Sequence, residues 1–192
     1  MKRVILASGS PRRFELLSSF IEEFEVIPSS YEEDMTLEMS PSELVQFLSK
    51  GKARDIASKE KGIILGADTI VVLRDNKVLG KPKTEEEAKK MLRTISGDFH
   101  YVLTGFTIID SENNKEITDF SSSKIFFREL SDEEIEEYVA SGEPMDKAGA
   151  YAIQGLGGKF IPKYEGPYTG IIGLPLEKVK SYFLEFGIKV KK

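Results

Sequence analysis

Four polar clusters in this chain bring together side chains capable of chemistry. The first is Ser8, Ser10, Arg12 and Arg13, within LASGSPRRFELL. The second is the acidic pair Glu32-Glu33 with Lys52, and the third is Asp68-Thr69 with Lys81. The fourth is Asp146-Lys147, followed by Gln154. Basic groups at a helix start, two further lysines and carboxylates suited to a divalent cation are the parts for hydrolysis at a phosphate chain.

Each part has a plainer alternative. Arg12 and Arg13 crowd the positive end of a predicted helix, where a cation is unfavourable by about 0.3–1 kcal/mol. An anion, such as a polyphosphate, would offset this; otherwise both point into water. Asp68 follows Gly66-Ala67 and precedes the apolar Ile70–Leu73 run. A carboxylate there must be paired, capped or metal-bound, or else be a structural Asp accepting backbone N–H bonds. Lys81, before Pro82, is either a compact charge for phosphate or a strand end. Lys52 lies on a Lys- and Glu-rich helix, and Glu32 in an acidic loop. Both suit a solvated surface, although Mg²⁺ takes one or two carboxylates plus phosphate oxygens. The Gly155–Gly158 cluster is not GxGxxG after a first strand, and GxxxxGK[ST] is absent, which argues against a P-loop or dinucleotide site. His100, at the entry of a β run, reads as a packed or hydrogen-bonded residue, and Tyr151 and Tyr168 as core or cleft wall.

The elements that must position these groups follow from pattern. Val4-Ile5-Leu6 predicts a buried strand. Ser10 as N-cap and Pro11 as first helical residue start a helix with Phe14, Leu17 and Phe20 at helical spacing. Phe24–Ile27 predicts a short strand, and Tyr31–Met39 an acidic loop. Ser40-x-x-Glu43, Thr84-x-x-Glu87 and Ser131-x-x-Glu134 are three capping boxes that open helices. The first of these helices carries Lys52. Ile63–Leu73 predicts one long strand or two short ones meeting near Asp68, then a hairpin turn at Asp75-Asn76-Lys77. Phe99–Ile109 and Ile117–Phe127 predict a long hairpin, and Tyr151–Ile153 a short strand. Lys159–Lys163 and Tyr168–Ile172 predict a second hairpin, and Pro175 opens a last helix ended by Gly187. Early alternation of strands and helices, then hairpins, predicts an α/β or α+β fold with a mixed sheet rather than a purely doubly wound one.

Composition narrows the class. Lys and Arg total 27 against 32 Asp and Glu, a net charge of −5. This argues against bulk nucleic-acid binding but not against a small anion in a local basic pocket. There is no cysteine, hence no disulfide, zinc–thiolate site or thiol nucleophile, and a single histidine rules out a His-clustered metal. No stretch resembles a signal peptide or a membrane span, so a cytoplasmic location is expected. The parts suit an enzyme cleaving a nucleoside triphosphate, or a non-catalytic nucleotide sensor that acts through a partner.

The strings LASGSPRRFELL, YEE, the Lys52 helix, GADTIVV, LGKP, SGDFHYVLTG, YVASGEPMDKAGAYAIQGLGG and GLPLEKV, in this order, resemble the Maf family. The likeness runs from about Val4 to Phe186. It implies one domain over residues 1–192, with an inosine-triphosphatase-like (Maf/Ham1) α/β architecture. A mixed twisted sheet with flanking helices would form two lobes around a deep cleft. It implies a nucleoside triphosphate pyrophosphatase (diphosphatase) giving a monophosphate and pyrophosphate, with Asp68 as proton acceptor for water. Arg12, Arg13, Lys52 and Lys81 would hold the phosphates, with Ser8 and Ser10 as added donors. Glu32 and Asp68 would bind a divalent cation, Mg²⁺ or Mn²⁺. Arg12, Thr69 and Gln154 stand where subgroups differ, and match the branch acting on dTTP and UTP. The family's other reading is a regulator of septum formation. No nucleic-acid or membrane partner is implied, and a homodimer is compatible.

Overall fold

In the computed structural model, which describes residues 2–191, the strands are β1 (Val4–Leu6), β2 (Glu25–Val26), β3 (Ile63–Val72), β4 (Val78–Leu79), β5 (Phe99–Asp110), β6 (Lys115–Phe126) and β7 (Lys163–Glu165). The helices are α1 (Pro11–Ser18), α2 (Pro41–Ala57), α3 (Glu85–Ile95), α4 (Asp132–Ala140), α5 (Tyr168–Ile172) and α6 (Leu176–Glu185). Seven strands form one mixed sheet in the order β2-β1-β3-β5-β6-β7, with β4 on β3. β1 pairs parallel with β2 and β3; β4 on β3 and β7 on β6 are antiparallel.

The chain divides into two compact units. The first holds the residues up to Asp68, Thr104–Ser121 and those from Gly173 on; the second holds Thr69–Leu103 and Ser122–Ile172. In the first unit the pleat sorts side chains onto two faces. Ile63, Leu65 and Ala67 pack with Leu17 and Phe20, around α1, and with Val179 and Phe183 of α6. Ile64 packs with Ala53 and Ile56 of α2. Gly66 and Asp68 therefore point to the α2 side. A chain of hydroxyls, buried at Ser49 and Thr107 and half-buried at Thr118, ties α2 to the sheet: Ser49 to Thr107 at 2.9 Å, and Thr107 to Thr118 at 2.9 Å. In the second unit, α3 and α4 pack on Val71, Val102 and Ile125, with Tyr138, Tyr151 and Phe160 filling the core.

Most predicted elements form. Ile63–Val72 is one continuous strand, buried at every position but Thr69. Ser40–Glu43 and Ser131–Glu134 make both bonds of the capping box. Thr84 caps Glu87 N–H, but the Glu87 carboxylate turns to the Lys83 N–H, so that box is half made. Three expectations fail. Lys159–Lys163 is not a strand: Gly155–Phe160 winds as a 3₁₀ turn, closed by the Ile161 N–H on the Gly158 carbonyl, and the strand β7 begins only at Lys163. Tyr168–Ile172 is a helix, not a strand, because the Pro167 carbonyl accepts N–H bonds from Gly170 and Ile171 and winds the chain. Tyr151 is extended, but Tyr151–Ile153 joins no ladder.

Candidate active site

Asp68 lies on the central strand β3 and is only 5% exposed. Its depth follows from the close approach of α2. A Cβ on Gly66 would lie 2.6 Å from the Ser49 carbonyl and 2.7 Å from the Ala53 nitrogen. With the helix backbone that close, Lys52, one turn beyond Ser49, reaches down to the carboxylate: Nζ donates to Asp68 Oδ1 at 2.5 Å. The same ammonium is 2.6 Å from Glu33 Oε1.

Glu33 is delivered by a second device. Asp55 on α2 accepts bonds from the Ser29 hydroxyl and the Ser30 N–H. The Tyr31 ring then lies over Gly51, where a methyl group would overlap it. Residues 29–31 are thus pinned along α2, and the next acids run past Lys52. Both are exposed, and it is Glu33 that meets the ammonium.

The N-terminal cluster joins from α1. Arg13 donates through Nε to the Gly173 carbonyl at 2.9 Å and through Nη1 to Ser8 Oγ at 3.2 Å. Ser8 is buried, and its oxygen also accepts the Ser10 N–H. Ser10 stands at the N-cap but makes no side-chain capping bond, and the first turn carries no acid. Burial pushes the Arg13 pKa down; the charge of Asp68 works against this and that of Arg12 with it.

Burial raises the Asp68 pKa above the ordinary carboxylate range. The Lys52 ammonium and the Arg13 guanidinium pull it back, while Glu33 adds to the rise. A carboxylate of this kind is a stronger base than a solvated one, and its cationic neighbours favour its charged form against the burial.

The second unit carries the other residues singled out. Thr69 follows Asp68 on β3. Lys81 is exposed just after β4, behind Gly80, whose carbonyl accepts the Gly149 N–H at 3.0 Å. Gln154 is exposed at the start of a 3₁₀ turn, Gly155–Phe160. Lys147 donates to Asp146 and to the Glu143 carbonyl, so the Asp146-Lys147 pair is a local brace. His100 is fully buried and bonded to Tyr151 at 2.6 Å, the packed residue expected. Tyr151 is core, whereas Tyr168 is 40% exposed. Tyr31, Gly51 and Asp55 were not legible as site-building residues. The one signal was a glycine inside a helix beside Lys52, which costs about 1 kcal/mol unless something packs on it.

Among the described residues no three acidic, His or Cys side chains gather as a ready-made metal cage. Two carboxylates do converge on one cationic group, Lys52 Nζ. Hard oxygens in that number fit an ion of the Mg²⁺ type whose remaining ligands are phosphate oxygens and water.

The fold class is that of the Ham1 proteins. The Staphylococcus aureus Ham1 structure matches with a TM-score of 0.52 at 13% identity, covering 97% of this chain and 100% of that one. A HAM1 protein from Coxiella burnetii gives 0.52 at 15% identity, covering 96% and 100%. Within that fold the sequence is more specific. The family model described as Maf-like protein matches residues 3–186, and the chain belongs to the Maf family. Among its relatives, a dTTP/UTP pyrophosphatase from Alkaliphilus oremlandii (strain OhILAs) is 49% identical over 93% of both chains. Another of that name, from Clostridium tetani, is 48% identical over 97% of this chain and 98% of its own.

Proposed function

We propose that this protein hydrolyses dTTP and UTP in the cytoplasm, cutting between the α and β phosphorus. Water adds to the α phosphorus, its proton passes to the Asp68 carboxylate, and pyrophosphate leaves from a nucleoside monophosphate. The observation that carries this reading is the buried Asp68 carboxylate, paired to Lys52 and close to the Arg13 charge. A buried base fixed beside cations suits the attack of water on a polyanion.

The other roles rest on the family likeness. Lys52, Lys81, Arg12 and Arg13 neutralise the phosphates, with Ser8 and Ser10 as hydroxyl donors. Arg12, Thr69 and Gln154 select the pyrimidine; an amide such as Gln154 offers both a donor and an acceptor to its edge. Asp68 and Glu32 would hold Mg²⁺ or Mn²⁺; apart from the likeness, it is Glu33 that meets Lys52 beside Asp68. Such an ion, when bound, polarises a phosphoryl oxygen and lowers the pKa of water.

The test is a panel of triphosphates with Mg²⁺ or Mn²⁺, scored for pyrophosphate and monophosphate. dTTP and UTP should turn over fastest. Asp68→Asn should lower kcat by about a thousandfold while a non-hydrolysable UTP analogue still binds. Orthophosphate release would mean that a different bond is cut. Nucleotide binding without turnover by the unmodified chain would favour a sensor over an enzyme.

A further inference from the structure

Gln154 stands at the N-cap position of the 3₁₀ turn Gly155–Phe160 with extended backbone, φ −84° and ψ 151°, yet its side chain makes no capping bond. A side-chain oxygen at that position can accept the first N–H groups of the turn. In this chain Glu143 does so instead: its two carboxylate oxygens accept the Leu156 N–H at 3.2 and 3.1 Å. The fit is close. Gly155 has φ +81°, and a Cβ on it would overlap Glu143 Oε1. On the other side of Gln154, the Tyr138 hydroxyl accepts the Ala152 N–H at 3.4 Å, and a Cβ on Gly157 would lie 2.6 Å from that oxygen. The two side chains are themselves neighbours. Burial, then the negative charge of Glu143, pushes the Tyr138 pKa up.

Residues two before and two after Gln154 are thus held by one buried tyrosine and one acid, and the Gln154 amide is left exposed. We propose that Glu143 and Tyr138 are positioning residues for base selection: by capping the turn in place of Gln154 and fixing Ala152 and Leu156, they keep the Gln154 amide available to a pyrimidine edge. This rests on the reading of Gln154 as a base-contacting residue. Without Glu143, the Gln154 amide falls back onto the uncapped N–H groups and is withdrawn from the base.

The full chain with Glu143→Ala, Glu143→Gln, Tyr138→Phe, Gln154→Ala and Glu143→Ala/Gln154→Ala tests this. The measurements are kcat and KM for UTP and GTP, and the affinity for a non-hydrolysable UTP analogue. Glu143→Ala should raise KM for UTP about tenfold, mainly without loss of kcat, and shrink the preference for UTP over GTP. Glu143→Gln should recover most of that preference, because its amide oxygen still accepts the Leu156 N–H. Tyr138→Phe, which keeps the ring in the core, should shift preference in the same direction as Glu143→Ala. The double variant should be no worse than Gln154→Ala, since both changes remove one contact. A lower melting temperature with unchanged UTP preference in both Glu143→Ala and Tyr138→Phe would overturn the proposal, as would effects of Glu143→Ala and Gln154→Ala that multiply. If Gln154→Ala alone left the preference intact, the base-contact reading would fail, and this proposal with it.

Discussion

Lys52 and Glu33 act on Asp68 with opposite sign. The ammonium holds the carboxylate in its charged form, and the neighbouring acid disfavours that form. Removing Lys52 should therefore raise the Asp68 pKa, and removing the Glu33 charge should lower it. In the acidic limb of kcat/KM for UTP, Lys52→Met should move the midpoint to higher pH and Glu33→Gln to lower pH. Midpoints that stay fixed in both variants would mean that Asp68 is not the base that titrates. Asp68 was legible in the sequence, because a carboxylate between Gly66-Ala67 and an apolar run has to be held by something. The choice between Glu32 and Glu33 was not, because two adjacent acids in a loop have no periodicity to say which one faces the helix.

At the level of elements, Gly51 poses a test with a reversible sign. In an exposed helix, Gly→Ala stabilises by about 1 kcal/mol. Here the Tyr31 ring occupies the space a methyl group needs, so Gly51→Ala should destabilise the chain. In a Tyr31→Ala background the same change should become stabilising. The urea midpoints of the four chains decide this; stabilisation in both backgrounds would mean that Tyr31 does not rest on the helix. The helix starts at Ser40 and Ser131 were legible because a capping box is local chemistry. The helix at Tyr168 was not: Thr169, Ile171 and Ile172 favour a strand on propensity alone, and the turn built on the Pro167 carbonyl overrides them.

For the molecule as a whole, the order of strands and helices was readable from hydrophobic period and turn residues. The division of the chain into two compact units was not, since three of its four limits fall inside β3, β5 and β6, where no break in the sequence marks them; only the fourth, at Ile172/Gly173, lies between elements. Global stability carries a titration in the mildly acidic range at His100. Burial pushes His100 down from its ordinary 6.5 to about 4, with Asp98 opposing. Between those values the unfolded chain takes up a proton that the native His100 refuses, so stability is full above pH 6.5 and falls as the pH drops towards 4. Urea midpoints at pH 7 and pH 5 should show this loss, and His100→Phe should reduce it. An equal loss with and without the imidazole would assign it to the carboxylates.

The hydroxyls between α2 and the sheet have a direction. The single Ser49 proton goes to the Gln46 carbonyl. Thr107 must therefore donate to Ser49, and Thr118 to Thr107. The row is a one-way file with no spare hydrogen: a valine at its middle strands the acceptor ahead and the donor behind, whereas a valine at its outer end silences only the last link.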